Sequence, residues 1–237
     1  MPKAVNLLYI DGRIMGNNYN WDFNSILINW DVFVHGLVVT AQLSALTLAT
    51  GLGLGFFLGL GRYSRHQIFR LPSSIFVEIF RNVPALVVVI WFFFAFPIVS
   101  PFEVDAFTAA FLAISANTAA FSADIYRGGI QSISPHQWEA GRALGMSYLT
   151  IMRRIIFPQA IKRIIPPLTG RGIEAIKLST LASVIAVNEL LYAAKQLSAL
   201  NFNPIEAYTT VAFLFFIIIY PLTHISYFLE RRFGLSD

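Results

Sequence analysis

The residues of this 237-residue chain best equipped for chemistry stand inside apolar runs. Arg171, Glu174 and Lys177 are spaced i, i+3, i+6, so on a helix each neighbouring pair can interact. Charged groups are costly within a bilayer and face a protein interior or a polar path when they occur there. The triplet is therefore either a self-neutralising ladder that makes an apolar helix tolerable, or a polar wall that meets a solute. Asn117 and Thr118, with Ser179, Thr180 and Ser183, are uncharged partners for the same wall, or simply bond between helices. Glu78 and Arg81 form a further i, i+3 pair close to Pro84, where a helix should break or kink. A broken helix at depth is a common way to expose backbone groups to a substrate.

Other chemistries lack their parts. Cysteine is absent, which excludes disulfides, Cys-zinc sites, iron–sulfur ligation and Cys nucleophiles. His35, His66, His136 and His224 are scattered without metal spacing, and His224 beside Tyr220 reads as a packing residue. Gly51, Gly53, Gly55, Gly59 and Gly61 suggest a phosphate-binding loop only superficially. They lie in an uninterrupted apolar helix, no Lys-Ser/Thr follows, and small residues so spaced let membrane helices approach closely.

The elements that must position these residues are membrane spans. Hydrophobic residues make up 56% of the chain and charged residues 13%, where a soluble domain carries about 25% charged. Mean hydropathy is +0.63. A crossing helix needs about 20 mostly apolar residues. Val32–Gly61, Asn82–Phe102, Ala106–Ala123 and Ala207–Leu229 carry no Asp, Glu, Lys or Arg, and a fifth apolar segment contains Arg171, Glu174 and Lys177. An all-α membrane protein with five spans follows, at about 32–61, 76–98, 104–126, 164–188 and 206–229, forming one domain over 32–230. No basic segment precedes the first run, so no cleaved signal peptide is expected.

Lys and Arg orient the spans. Segment 62–81 holds Arg62, Arg65, Arg70 and Arg81; segment 127–163 holds Arg127, Arg142, Arg153, Arg154, Lys162 and Arg163; the end holds Arg231 and Arg232. Only Lys3, Arg13 and Lys195 fall opposite. The basic side is cytoplasmic, which puts tail 1–31 outside and tail 231–237 in the cytoplasm. The net charge of +4 is then orientational rather than a nucleic-acid footprint.

The longest connection, 127–163, is built rather than slack. Ser134-Pro135 is a helix start, with Ser134 as cap and Pro135 at the first position. Gly145 can end that helix in a left-handed conformation. Ser147 can cap a second helix, 148–157, ending near Pro158. The product is a projecting helix–Gly–helix element or an amphipathic connector lying on the membrane.

Four stretches carry a resemblance. Glu139-Ala140-Gly141-Arg142-Ala143-Leu144-Gly145-Met146, followed by Ile156-Phe157-Pro158-Gln159-Ala160, resembles the EAA motif of ABC-importer permeases, with Gly141 for its second Ala and Phe157 for its usual Leu. Glu78-Ile79-Phe80-Arg81-Asn82-Val83-Pro84-Ala85-Leu86 is similar to the Phe-Arg-Gly-Thr-Pro segment of the polar amino-acid uptake family. Asp124-Ile125-Tyr126-Arg127-Gly128-Gly129-Ile130 is a third match. Ile176-Lys177-Leu178-Ser179-Thr180-Leu181-Ala182-Ser183-Val184-Ile185 is similar to its Lys-Asp-Thr-Ser-Leu-Ala-Ser-Val-Ile. The resemblance covers about residues 32–230, with the four stretches in order at family spacing.

The resemblance implies a type I ABC-importer permease of the bacterial inner membrane, half of a pseudo-twofold pair with an identical or homologous second permease. It implies two cytoplasmic ATPase subunits that bind the ATP and Mg, no cofactor on this chain, and an external solute-binding protein. The EAA helix, 135–146, would enter a cleft on the ATPase. Glu139 would supply charge there. Ala140, Gly141, Ala143 and Gly145 would keep the helix thin, Arg142 and Met146 would touch the cleft walls, and Pro158 would close the motif. Glu78, Arg81, Asn117, Thr118, Arg171, Glu174, Lys177, Ser179, Thr180 and Ser183 would line the path of a polar L-amino acid. Leu178 stands where many members carry Asp, which removes a partner for cationic substrates. The Phe-Arg-Asn-Val-Pro variant looks like the glutamate/aspartate branch, so acidic or general polar amino acids are expected. The alternatives are a basic amino acid or opine in the same architecture, or an ion-driven transporter. The latter needs a coupling-ion site and usually internal repeats. An intramembrane enzyme would need the missing nucleophile or metal set.

Overall fold

A computed structural model describes residues 21–233. Lys3, Arg13, most of tail 1–31 and the end of tail 231–237 lie outside the described residues. Within them the chain is helical throughout. A short α1 (Asn24–Ile28) leads into α2 (Trp30–Tyr63), whose 34 residues extend about 50 Å, well beyond a bilayer's hydrocarbon core. Its partner is α6 (Ala106–Gln131). The two meet along small residues. A Cβ on Gly51 would come within 2.7 Å of the Thr118 side chain, on Gly55 within 2.9 Å of the Ala119 carbonyl, and on Gly59 within 2.8 Å of the Ala123 carbonyl. Gly51, Gly55 and Gly59 thus form the seam. Gly53 faces open space and takes no part.

The segment expected as one span, 76–98, is two helices. α3 (Gln67–Asn82) ends at Val83, and α4 (Ala85–Ile90) sets off at 106° to it. The cause is local. A residue before proline is pushed from helical to extended backbone, and Val83 has φ −88°, ψ 132°. α4 runs through a π turn, Trp91–Ala95, into α5 (Phe96–Val99).

The 127–163 connection begins as expected. Ser134 Oγ accepts from the His136 amide and Pro135 opens α7 (Pro135–Ala143). Gly145 sits at φ +72°, its amide donating to the Arg142 carbonyl and the Met146 amide to the Gly141 carbonyl. That paired closure is a Schellman stop. Ser147 caps α8 (Tyr148–Ile151). The next helix does not stop at Pro158. A π turn, Met152–Ile156, leads directly into α9 (Phe157–Leu178). A proline clashes with the carbonyl four residues back; for Pro158 that is Arg154, inside the widened turn, which removes the clash. Pro97 follows the first π turn in the same relation.

The helix that carries the span expected at 164–188 therefore begins well before residue 164, and Pro166-Pro167 lie in its middle. It tightens into a 3₁₀ segment, Ser179–Ile185, which ends at left-handed Ala186. The expected loop 189–205 contains α10 (Leu190–Asn201), tilted 43° from the preceding helix and capped by the Glu189 carboxylate, which accepts from the Leu191 and Tyr192 amides. α11 (Pro204–Phe233) ends the described residues. Among the described residues three helices, α2, α6 and α11, are long and apolar enough to cross a membrane, and the two bent pairs bring the total to as many as five.

Candidate functional site

The break between α3 and α4 creates a demand that organises its surroundings. Pro84 has no amide to donate to the Phe80 carbonyl four residues back. Asn117 on α6 supplies the missing donor, its Nδ2 lying 3.0 Å from that carbonyl. The Asn117 Oδ1 then accepts from Arg171 Nη2 at 2.6 Å. Arg171 reaches this point from α9, where it is buried. Its Nη1 donates to Glu174 Oε2 at 2.8 Å, Thr118 Oγ1 lies 3.5 Å from Nη2, and the guanidinium sits 4.5 Å over the Phe121 ring. A buried cation needs such compensation. One proline, one amide and one arginine thereby tie α3, α6 and α9 together.

Above this network lies a cavity of about 280 Å³, lined by the break itself (Arg81 to Ala85), Asn117, Phe121, Glu174 and Leu178. Its lining carries one guanidinium, one carboxylate, side-chain amides and apolar surface. A second cluster sits alongside. Asp124 on α6 accepts from Arg62 at 2.5 Å and from Arg81, with Arg127 at 3.6 Å, while Arg62 also pairs with Glu78 at 3.1 Å. The expected Glu78–Arg81 pair does not form. Half-buried Asp124 draws Arg81 across to α6, and Glu78 takes Arg62 and Asn82 instead.

The expected wall is thus divided. Arg81, Asn117 and Glu174 line the cavity, with Arg171 directly behind. Thr118 is turned toward Gly51 in the α2–α6 seam. Lys177 is exposed, and among the described residues its side chain makes no hydrogen bond or ion pair, so the ladder ends at Glu174. The Ser179, Thr180 and Ser183 hydroxyls each donate at 2.7 Å to the carbonyl three residues back, and so serve the backbone at the end of α9 and in the 3₁₀ segment. Asn82, Phe121, Asp124 and Arg62 were not anticipated. Asn82 and Asp124 each stand in a stretch that resembles the family, and Phe121 lies one turn beyond Asn117, which could have marked it.

The α7 corner forms a separate surface. Glu139 is exposed and lies 3.2 Å from His136 Nδ1. Ala140, Arg142, Ala143 and Pro158 are exposed. Gly141 is not part of the outward surface: it is buried, and a Cβ there would come within 2.7 Å of Ile151. Met146 is half-buried against a cluster containing Ile130, Ile151 and Ile156, and so turns toward its own chain. Leu144 and Leu149 form the exposed apolar tip instead.

Comparison with known proteins agrees with this arrangement. The family described as "Binding-protein-dependent transport system inner membrane component" matches residues 51–234. The probable amino-acid ABC transporter permease protein YckA of Bacillus subtilis (strain 168) is 34% identical over 224 residues, 93% of this chain and 99% of that protein. The glutamine transport system permease protein GlnP of Escherichia coli (strain K12) is 35% identical over 213 residues, 90% of this chain and 97% of that one. A crystal structure of an amino acid ABC transporter with histidines superposes with a TM-score of 0.85 at 32% identity, covering 90% of this chain and all of that one. The chain belongs to the family of binding-protein-dependent transport system inner membrane components. It is a permease subunit of an amino-acid ABC importer with type I architecture, a non-catalytic inner-membrane subunit whose relatives work with ATPase and binding-protein partners.

Proposed function

We propose that this permease passes polar L-amino acids, acidic or general, through the cavity at the α3–α4 break. The observation that carries this reading is the pairing of one guanidinium, Arg81, with one carboxylate, Glu174, in the same lining. A zwitterionic head group presents the complementary pair: its ammonium meets Glu174 and its carboxylate meets Arg81 and the Asn82 amide. The rest of the lining, Val83, Pro84, Ala85, Asn117, Phe121 and Leu178, offers a side chain no second carboxylate. A cationic side chain would lie there without a counter-charge, whereas a glutamine or glutamate side chain meets a net-basic neighbourhood, with Arg171 behind the wall and Lys177 one turn on. GlnP, named for glutamine transport, supports the same class.

The chain works in a pair with an identical or homologous permease, over two ATPase subunits that hold ATP and Mg. Its N-terminus is outside and its C-terminus cytoplasmic. Helix α7 with its Gly145 stop, the stretch 135–146, is the coupling element that fits an ATPase cleft, led by Glu139. The deciding experiment is uptake by the reconstituted importer with competing amino acids. Glutamate, aspartate or glutamine should compete while lysine and arginine do not. Competition by lysine or arginine alone would refute the substrate class while leaving the permease architecture intact.

A further inference from the structure

A second, larger cavity of about 920 Å³ opens between the α2–α3 turn and the α7–α8 corner. Arg65 and His66 line it from the turn, and Trp138, Arg142 and Tyr148 from the corner, with Tyr63 at the end of α2. No Asp or Glu lines it. Among the described residues neither Arg65 nor Arg142 has a carboxylate partner: Arg142 Nε reaches only the Trp138 carbonyl at 3.4 Å, and Glu139 of α7 is engaged with His136. Two guanidiniums from separate elements thus face one space with no opposite charge to offset their repulsion. The cavity is large enough for a substantial ligand.

Its position and walls say what kind. α2 ends at Tyr63, so the cavity lies at the end of that span on the side that carries the basic loops. Trp138 stacks on Tyr148, ring centroids 5.2 Å apart, and Trp and Tyr are the residues of membrane interfaces. From its mouth α3 begins, and Ile68, Phe69 and Leu71 on its first turns are exposed apolar side chains. We infer that this cavity binds the phosphate-bearing headgroup of an anionic membrane lipid. Arg65 and Arg142 clasp the phosphate, the aromatic pair packs on the glycerol region, and the acyl chains run along the apolar start of α3. Basic pockets between membrane helices on the cytoplasmic side take such headgroups, and anionic lipid is concentrated in that leaflet. The inference rests on the orientation proposed above and not on the substrate, and it gives Arg142 to the lipid rather than to the ATPase cleft wall. Because Arg142 and Trp138 belong to α7, a bound lipid braces that helix against the α2–α3 turn.

The test uses the importer complex, permease with its ATPase, purified in detergent and titrated with phosphatidylglycerol or phosphatidylcholine, bound lipid being counted by native mass spectrometry. Phosphatidylglycerol should be retained preferentially. Arg65→Gln should weaken its retention about fivefold, the effect of one basic residue near a charged surface, and Arg65→Lys should keep most of it. Arg70→Gln, an α3 arginine outside the lining, should change nothing. Equal retention by wild type and Arg65→Gln would overturn the inference. So would displacement of the lipid by inorganic phosphate or glycerol phosphate at matching concentration, which would make this a soluble-phosphate site. Loss of ATPase assembly in Arg65→Gln with lipid retention unchanged would also overturn it, by assigning the cavity to the partner subunit.

Discussion

Asn117 satisfies two obligations at once: the Phe80 carbonyl orphaned by Pro84, and one arm of Arg171. Replacing it with Leu leaves both in a poorly solvated place. An unmet buried polar group costs about 1–3 kcal/mol, so Asn117→Leu should lower the thermal midpoint of the solubilised importer as well as uptake. An unchanged midpoint would show that water or a neighbour replaces the amide. Asp124 makes a sharper case. Its side chain is 19% exposed and is shared by three arginines, whereas Glu78 is 51% exposed and serves one. Removing the shared partner of a partly buried cluster costs more than losing an exposed pair, which is worth about 1 kcal/mol or less. Asp124→Asn should therefore destabilise the solubilised protein much more than Glu78→Gln, as read by thermal unfolding in parallel. Equal shifts would mean the cluster is solvated. Neither contrast was legible in the sequence. Glu78 and Arg81 look like an i, i+3 pair, and only the approach of α6 offers Arg81 a better partner.

At the scale of elements, the α2–α6 seam depends on three glycines and not on a fourth two residues away. A Cβ at Gly55 or Gly59 meets carbonyl oxygens of α6, which no rotamer change can relieve, while one at Gly53 meets nothing within 4 Å. Forcing extra volume into a well-packed contact costs about 1–3 kcal/mol. Gly55→Val and Gly59→Val should thus reduce the yield and thermal midpoint of detergent-solubilised protein, and Gly53→Val should leave both near wild type. A comparable loss at Gly53 would place α2 in a different rotation. The glycine pattern announced close packing, but a run of alternating glycines does not say which of them face a neighbour. Proline behaved similarly. Val83-Pro84 breaks its helix, whereas Pro158 and Pro97 follow π turns and Pro166-Pro167 lie inside α9. The same residue type gives opposite outcomes in different helices, so proline alone does not mark a break.

For the molecule as a whole, the coupling reading makes a prediction separate from the substrate. Glu139 is exposed at the corner, and Gly145 holds φ +72°, a conformation other residues reach only at about 1–2 kcal/mol. Glu139→Lys and Gly145→Leu should leave the helices assembled yet uncouple ATP hydrolysis from uptake in proteoliposomes. Coupling that survives both changes would move the ATPase contact elsewhere, with the exposed Leu144 and Leu149 as the next residues to examine. The permease class itself does not hang on this result, since it rests on the family match over residues 51–234 and on the full-length relatives.

What the sequence alone determined follows from local rules: long apolar runs that need a bilayer, a Ser-Pro start and a Gly stop around α7, a break at Val83-Pro84, and motifs in a fixed order. Each depends on neighbours within a few residues, where backbone sterics and hydrophobic burial act directly. The tertiary structure alone decided which polar groups share a space. It sent Arg81 to Asp124, Asn117 to Phe80 and Arg171 to Asn117, and turned Ser179, Thr180 and Ser183 onto their own backbone. Those choices depend on how helices far apart in sequence rotate against one another, and an apolar helix with little one-sided character does not encode its own rotation.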